Sequence, residues 1–225
     1  MNRKNKVLII DDHPLICDSY RDALELVMKE NEDIQMQIES APDCDVAREK
    51  INNTWTTSGW DLVFLDIRLP ASTDRKILSG EDLGEMIRKN HPMAKIIVAT
   101  TFNDNYRIQN IYKSINPEGF LIKNDMDLKE LVSAIVTILQ GGVHFSNTVS
   151  ELMGKQFGNE INIDKIDRQI LYELSIGTKT KDLPDIVPLS IAGVEKRKRI
   201  LKRIFDVEDQ GDKALILKAR EKGFI

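Results

Sequence analysis

The sequence predicts an α/β protein of two domains, a five-stranded, doubly wound parallel sheet followed by a small all-α domain. From residue 6 to about residue 140, short apolar runs alternate with stretches of helical periodicity. This alternation is typical of a parallel sheet covered by helices on both faces. From residue 164 onward every periodic stretch is helical. A chain of 225 residues is long enough for two such domains.

Five apolar runs are the predicted strands. The second alternates apolar and polar residues, which is typical of a less buried edge strand. The predicted strands are Lys6–Ile10, Ile34–Ser40, Leu62–Leu65, Ile96–Ala99 and Gly119–Ile122. The helices between and after them are predicted at Pro14–Lys29, Asp45–Asn53, Gly80–Asn90, Asn105–Ser114 and Asp127–Gln140.

Composition excludes several classes of protein. No apolar run approaches the roughly 20 residues that span a bilayer, so no membrane association is expected. The only cysteines, Cys17 and Cys44, show no CxxC spacing, which argues against disulfides and zinc and favours the cytoplasm. Residues 164–225 hold 14 Lys and Arg against 11 Asp and Glu, a net of +3, which leaves −7 for the rest of a chain whose total is −4. This asymmetry is compatible with a cation-binding half and a nucleic-acid-binding half.

Four of the predicted strands end in residues suited to phosphate chemistry. Asp11 and Asp12 follow the first strand and Asp66 follows the third, while Thr100 and Lys123 follow the fourth and fifth. Because parallel strands end at one edge of a sheet, these side chains are expected to converge. Three crowded carboxylates require a cation, and Mg²⁺ prefers such oxygen ligands. The sequence therefore predicts a Mg²⁺ site at which Asp66 accepts a phosphoryl group.

A simpler explanation exists for each residue alone, since Asp is common in the turns that follow strands. Four matching strand ends with complementary roles favour a site. The surrounding motifs are Asp11-Asp12-His13-Pro14, FLDIRLP around Asp66, IIVA before Thr100, and GFLIK ending in Lys123. On these motifs the first 140 residues or so resemble the receiver domain of bacterial two-component response regulators, which has a flavodoxin-like fold.

The resemblance implies roles for individual residues. Asp66 would be the phosphoacceptor, and Mg²⁺ would be bound by Asp11, Asp12, Asp66 and the main-chain carbonyl of Arg68. Thr100 and Lys123 would contact the phosphoryl group. Thr100 and Phe120 would form the switch, in which the aromatic ring moves inward when the threonine is drawn to the phosphate. Packing in the core is the alternative explanation for Phe120.

One loop and three single residues near the site are not explained by the family pattern. Residues 71–79 form a longer loop than usual, interpreted as a surface insertion rather than a flap. Arg68 and Phe102, each two residues beyond a site residue, are hypothesised to restrict attacking water and lengthen the lifetime of the phosphoryl group. His13 has no second histidine at ligand spacing and is therefore expected to start a helix rather than bind metal.

Paired glycines, Gly141-Gly142, end the last helix of the first domain. The predicted domains are residues 1–142 and 164–225, with a linker at 143–163 that contains a short possible helix, Thr148–Leu152. In the second domain the apolar stripe Ile166, Ile170, Leu171 and Leu174 predicts a helix ended by Gly177. The further helices are predicted at Lys181–Val187, Ile191–Phe205, capped by Ser190, and Asp212–Glu221.

The third helix of this domain is strongly basic. The cations expected on its outer face are Lys196, Arg197, Lys198, Arg199, Lys202 and Arg203. The order of helix, short helix, turn and basic helix is that of a helix-turn-helix. Residues 160–225 resemble the LuxR-type DNA-binding domain of NarL/FixJ-type response regulators. Glu195 replaces the usual lysine near the start of the third helix and puts base preference in doubt.

Together these features predict a phosphorylation-activated transcriptional regulator that is not an enzyme. Its expected partners are a sensor histidine kinase, double-stranded DNA and a second copy of the chain, because two recognition helices read two half-sites. A receiver joined to a helical protein-interaction module, without sequence-specific DNA binding, stays open. A phosphatase of the haloacid dehalogenase type is disfavoured, because Arg68 stands where its second Asp would be required.

Overall fold

A computed structural model of the chain describes residues 4–53, 59–102, 105–154 and 163–225. The chain divides into two compact units, one of Met1–Asn103 and Ile111–Lys155 and the other of Asp104–Asn110 and Gln156–Ile225. Within the described ranges no helix has the length and apolar character that crossing a bilayer requires. The predicted domain boundaries stay predictions, and residues 155–162 of the predicted linker lie outside the described residues.

The first unit contains a parallel sheet of six strands in the order β2-β1-β3-β4-β5-β6. The strands are β1 Asn5–Ile10, β2 Met36–Ala41, β3 Leu62–Asp66, β4 Lys95–Thr100, β5 Gly119–Ile122 and β6 His144–Phe145. The α/β class and the five predicted strands are confirmed, with β2 as an edge strand, but the count of five is wrong. Two residues are too few to show an apolar pattern, so β6 could not be recognised from the sequence.

Helices cover both faces of this sheet. The helices of this part of the chain are α1 Pro14–Glu30, α2 Cys44–Asn53, α3 Gly80–Asn90, α4 Asn105–Ile115, α5 Leu128–Leu139 and α6 Asn147–Gly154, and the first six residues of α4 belong to the second unit. On one face, α1 and α5 pack over alternate strand residues such as Val7, Phe64 and Leu121, all fully buried. On the other face α3 lies against Leu65. Because both faces are covered, the central strands are continuously apolar, as the sequence shows.

Local sequence explains where these helices begin. Pro14 occupies the first turn of α1, where a missing amide hydrogen costs little. The Ser79 side chain accepts a hydrogen bond from the Glu81 amide at the start of α3, and Asp127 does the same for the Glu130 amide at the start of α5. Each cap is an oxygen-bearing side chain placed directly before an apolar stripe.

Part of the predicted linker is ordered structure of the first unit. The Ser146 amide donates to the Phe120 carbonyl at 3.0 Å, which continues the pairing of β6 with β5. Helix α6 is longer than the predicted Thr148–Leu152, and it buries Val149 completely. The Thr148 hydroxyl donates to Asp125 at 2.6 Å and so ties α6 to the turn after β5.

The second unit contains a small helical core. Its elements are α7 Lys165–Ser175, a 3₁₀ segment Thr180–Asp185, α8 Ile191–Ile204 and α9 Asp212–Glu221. Apolar side chains from all four, including Leu171, Leu183, Leu201 and Leu215, are fully buried together. The second element is shorter than the predicted Lys181–Val187, because Pro188 disfavours helical geometry at the residue before it.

Candidate functional site

The register of the strands brings the predicted site residues to one edge of the sheet. In β1 and β3, Ile10 is paired with Leu65, so that Asp11 follows beside Asp66. Asp66 is paired with Ala99 of β4, the residue before Thr100. Thr100 is paired with Ile122 of β5, the residue before Lys123. Parallel pairing without offset thus places all four strand ends at one level.

Lys123 lies between two of the carboxylates. Its Nζ is 2.6 Å from Asp66 Oδ2 and 2.8 Å from Asp11 Oδ2. The three side chains are nearly inaccessible to solvent, with relative exposures of 5% for Lys123, 1% for Asp66 and 0% for Asp11. An ammonium group so placed offsets the repulsion between carboxylates that burial would otherwise intensify.

The backbone around Asp66 is closely packed. The other carboxylate oxygen, Oδ1, accepts a hydrogen bond from the Arg68 amide at 2.9 Å. Gly80, at the start of α3, approaches the Asp66 carbonyl so closely that a Cβ on it would lie 1.8 Å from that oxygen. A glycine is therefore required at position 80, because any side chain would collide with main-chain atoms of β3.

Burial raises the pKa of the Asp66 carboxyl group above its usual value, and the charge and hydrogen bond of Lys123 counteract this only in part. Burial also holds the pKa of Tyr20 well above its ordinary value, an effect to which the Asp11 charge adds. The Tyr20 hydroxyl lies 3.5 Å from Asp11 Oδ2, and its ring stacks on Phe64. Tyr20 therefore stays neutral. Its side chain packs against one side of the carboxylate cluster.

A cavity of about 400 Å³ opens over Asp66. Its lining residues are Asp12, His13, Asp66, Arg68, Leu69, Pro70, Thr101 and Lys123. The sequence did not predict that Leu69, Pro70 and Thr101 would line it. Leu69 and Thr101 directly follow the predicted site residues Arg68 and Thr100, and Pro70 comes next after Leu69, which was the available signal.

The donor atoms at this edge suit a divalent cation. One potential ligand atom from each of Asp11, Asp12, His13 and Asp66 lies within 4.8 Å of the others. Carboxylate oxygens are the ligands that Mg²⁺ prefers, and a positive group, Lys123, already lies against two of them. The residues present therefore fit the Mg²⁺ that the sequence predicts.

The predicted switch residues are both fully buried. Thr100 ends β4, and its hydroxyl oxygen accepts a hydrogen bond from the Phe102 amide at 3.2 Å. Phe120 lies in β5 with no solvent exposure. The Arg68 guanidinium lies 5.8 Å from the centre of the Phe102 ring, so the two residues that were hypothesised to restrict water are in contact.

The long loop at residues 71–79 is closed and anchored rather than extended over the site. Asp45 of α2 accepts hydrogen bonds from the Thr73 amide and hydroxyl, both at 2.8 Å. Arg48 of α2 donates to Asp74 at 2.7 Å. The side chain of Ile77 is buried beneath the loop. These contacts fasten the loop to α2, in agreement with the interpretation as a surface insertion.

In the second unit the structure corrects the expectation that six cations of α8 face outward. Lys198 is buried, with 6% exposure. Its Nζ donates to the Thr180 hydroxyl at 2.7 Å and lies 2.8 Å from Asp212 Oδ2. Lys202 is 3.0 Å from the other Asp212 oxygen. The direction of the helix face explains the error, because Lys198 is one turn from the buried Val194.

Two further cations of α8 are engaged within the unit. Arg197 lies 2.6 Å from Asp164 and 2.9 Å from Asp167, the two residues that form the capping box of α7. Arg203 is exposed and lies 2.7 Å from Glu208. These ion pairs hold the N-terminus of α7 and the segment after α8 against the basic helix.

Lys196 and Arg199 remain on the exposed face of α8, and across the described ranges neither has an ion-pair partner. Glu195 is exposed beside them. The helix begins as predicted, with the Ser190 side chain accepting a hydrogen bond from the Gly193 amide at 3.3 Å. The outer face of α8 therefore carries two open cations and one carboxylate rather than six cations.

Comparison with known proteins identifies the class of the first unit. A family model for the response regulator receiver domain matches residues 7–136. The chain belongs to this family, and the matched range contains every strand-end residue of the acidic cluster.

Similar proteins extend over most of the chain. The transcriptional regulatory protein MctR of Rhizobium johnstonii is 28% identical over 204 residues, covering 89% of this chain and 86% of MctR. The nitrate/nitrite response regulator protein NarP of Escherichia coli is 26% identical over 216 residues, covering 91% and 90%. A structure of RcsB from Salmonella enterica serovar Typhimurium bound to promoter rprA has a TM-score of 0.66 at 21% identity, covering 96% and 98%. At this identity, the structural likeness concerns the fold.

Proposed function

We propose that this protein is a phosphorylation-activated DNA-binding transcriptional regulator of a bacterial two-component system. The observation that carries the proposal is the ammonium group of Lys123 set between Asp66 and Asp11 at the edge of a receiver sheet. A sensor histidine kinase supplies the phosphoryl group, and the protein acts in the cytoplasm as a homodimer on double-stranded DNA.

The chemistry follows from the positions of the side chains. Asp66 attacks the phosphorus atom of the donor with Oδ2 or Oδ1, a P–O bond to the carboxylate forms, and the bond to the departing histidine nitrogen breaks. Asp11 and Asp12, with Asp66 and the Arg68 carbonyl, would hold Mg²⁺, which would supply positive charge against the phosphoryl oxygens. Lys123 is close enough to Asp66 to pair with the transferred group.

Acetyl phosphate replaces the kinase in the test. The full-length protein is incubated with acetyl phosphate and Mg²⁺, and the added phosphoryl mass and its position are read by intact-mass and peptide mass spectrometry. We expect one phosphoryl group on the wild type and none on Asp66→Asn. Asp74→Asn is the matched control, because Asp74 is a carboxylate of the neighbouring loop that is tied to Arg48. Equal modification of Asp66→Asn and wild type contradicts the proposal.

Phosphorylation is coupled to the rest of the first unit through Thr100 and Phe120. Thr100 donates its hydroxyl hydrogen to a phosphoryl oxygen, and its hydroxyl oxygen can still accept the hydrogen bond from the Phe102 amide. The Phe120 ring is already packed in the interior. The conformational change on phosphorylation therefore repositions a buried ring in this chain instead of bringing an exposed ring inward. Phe120 of β5 is paired with Phe145 of β6. The segment that the sequence predicts as a linker therefore lies beside the proposed switch residue.

DNA binding is assigned to the second unit. The support for it is the Ser190-capped helix α8 with Lys196 and Arg199 on its open face, in a LuxR-type order of helices. Cations on the face of such a helix meet phosphates and base edges in the major groove. The exposed Glu195 and the engagement of four other cations in ion pairs favour one alternative, a helical protein-interaction module without sequence-specific DNA binding.

A further inference from the structure

His13 stands at the start of α1, yet its side chain does not serve the helix. It occupies the N-cap position, and no capping hydrogen bond from its ring is found there. The capping role that the sequence suggested for this residue is therefore limited to its backbone. Asp11 fixes that backbone by accepting a hydrogen bond from the His13 amide at 3.0 Å.

The imidazole ring instead joins the carboxylate cluster. Its Nδ1 lies 2.6 Å from Asp12 Oδ1 and 3.3 Å from Asp11 Oδ1. The ring also lines the cavity over Asp66. One nitrogen, from His13, and three carboxylate oxygens, from Asp11, Asp12 and Asp66, thus lie within 4.8 Å of one another, a grouping that could hold a single metal ion.

The composition of a donor set determines which cations it prefers. Mg²⁺ is a hard ion that is bound almost entirely by oxygen. Imidazole nitrogen adds little for Mg²⁺ but binds first-row transition metals well, and its contribution grows from Mn²⁺ towards Ni²⁺ and Cu²⁺. A site with three oxygens and one imidazole is therefore suited to a transition metal as well as to Mg²⁺.

We propose that His13 is a direct ligand of the cation at this site and that it makes the site selective for Mn²⁺ and related transition-metal ions over Mg²⁺. The proposal rests on the proposed function in one respect, that Asp11, Asp12 and Asp66 hold a cation. It adds that the nitrogen of residue 13 bonds to that cation when it is a transition metal.

Pulsed electron paramagnetic resonance of Mn²⁺ on the full-length protein is a direct test, because the spin echo is modulated by a nitrogen bonded to the metal. We expect nitrogen modulation in the wild type and its loss in His13→Asn. Asparagine is itself a favourable N-cap residue, so α1 is retained in this variant. His144→Asn is the matched control, since His144 pairs with Glu130 and does not line the cavity.

Metal titrations complete the test. In His13→Asn the Kd for Mn²⁺ is expected to rise roughly tenfold, the size of effect typical of losing one supporting group at a metal site, while that for Mg²⁺ changes by less than about twofold. Absence of nitrogen modulation in the wild type, or equal weakening of both metals, overturns the proposal. The second result would mean that His13 only orients Asp12 through its hydrogen bond.

The two proposals fail in different ways. If the cation site itself is wrong, neither Mg²⁺ nor Mn²⁺ binds in an Asp66-dependent manner, and acetyl phosphate does not modify Asp66. If only the role of His13 is wrong, phosphorylation with Mg²⁺ proceeds and both metals bind, but the wild type and His13→Asn give the same Mn²⁺ spectrum.

Discussion

The acidic edge of the receiver sheet and the basic helix α8 are both concentrations of like charge, but the fold treats them differently. At the sheet edge, Asp11 and Asp66 are buried and share the single counter-charge of Lys123. In α8, four of the six predicted cations have carboxylate partners from other elements of the same unit. The carboxylates of the sheet edge thus outnumber their counter-charge, whereas most of the charge of α8 is balanced within the second unit.

This difference shows when a run of charges in a sequence indicates function. The strand ends of a parallel sheet are brought together by the backbone, so residues far apart in sequence converge whatever else the chain contains. The surface of a helix has no such constraint, and neighbouring elements can supply partners for its charges. The number of cations counted in the sequence of a basic helix is therefore larger than the number that is available for binding DNA.

The largest effect is expected from removing the two cations that remain open. Replacing both Lys196 and Arg199 by alanine should weaken binding to genomic DNA fragments roughly a hundredfold and reduce the salt slope by about two. Fluorescence anisotropy titrations at several salt concentrations measure both quantities. Lys213→Ala, a cation of α9, is the control. Unchanged affinity would instead favour the protein-interaction module.

The buried cation should matter for stability rather than for binding. Lys198→Met leaves Asp212 and Thr180 without their shared partner and should lower the free energy of unfolding by about 2 kcal/mol. Hydrogen exchange of the α7 to α9 amides in the full-length protein reports this change. Lys196→Met should alter the same quantity by less than about 0.5 kcal/mol. Equal effects of the two substitutions would remove the distinction between open and engaged cations.

The ion pairs of Asp212 predict a dependence on pH. Its burial opposes ionisation, but hydrogen bonds from Lys198 and Lys202 outweigh this and hold the pKa of Asp212 below the ordinary 3.8. A lowered folded-state pKa contributes stability above the unfolded-state pKa, and that contribution disappears as the pH falls through the folded-state value.

Asp212→Asn should accordingly destabilise the helical unit at pH 7, and the difference from wild type should shrink as the pH falls below about 4. Urea denaturation monitored by hydrogen exchange across pH 3 to 7 measures it. Asp209→Asn, an exposed carboxylate nearby, is the control. A difference that is constant over this pH range would contradict the assignment to ionisation of Asp212.

The smallest effect concerns the rim of the cavity over Asp66. If Arg68 packed on Phe102 restricts water, Arg68→Ala should accelerate loss of the phosphoryl group several-fold, roughly 1 kcal/mol in activation free energy. The decay of protein phosphorylated by acetyl phosphate provides the rate. Arg75→Ala, in the exposed part of the anchored loop, should leave the rate unchanged. An unaltered rate of phosphoryl loss in Arg68→Ala would contradict the hypothesis for that residue.

The sequence by itself determined the first five strands, the α/β class and the residues that follow each strand. Short apolar runs that alternate with helical stretches are compatible with few folds other than a parallel sheet covered by helices. It also determined the start of α8, since Ser190 is a strong N-cap before a helical stripe. In each case the deciding interactions lie between residues that are close in sequence or are imposed by the geometry of a parallel sheet.

Only the tertiary structure decided which charges stay available. That Lys198 is buried against Asp212, that Arg197 is held by the capping box of α7, and that the His13 ring lies in the carboxylate cluster all depend on contacts between separate elements. The same holds for β6, which exists because β5 offers an edge with which to pair. Such contacts leave no periodic trace in the chain, because each depends on where another element packs.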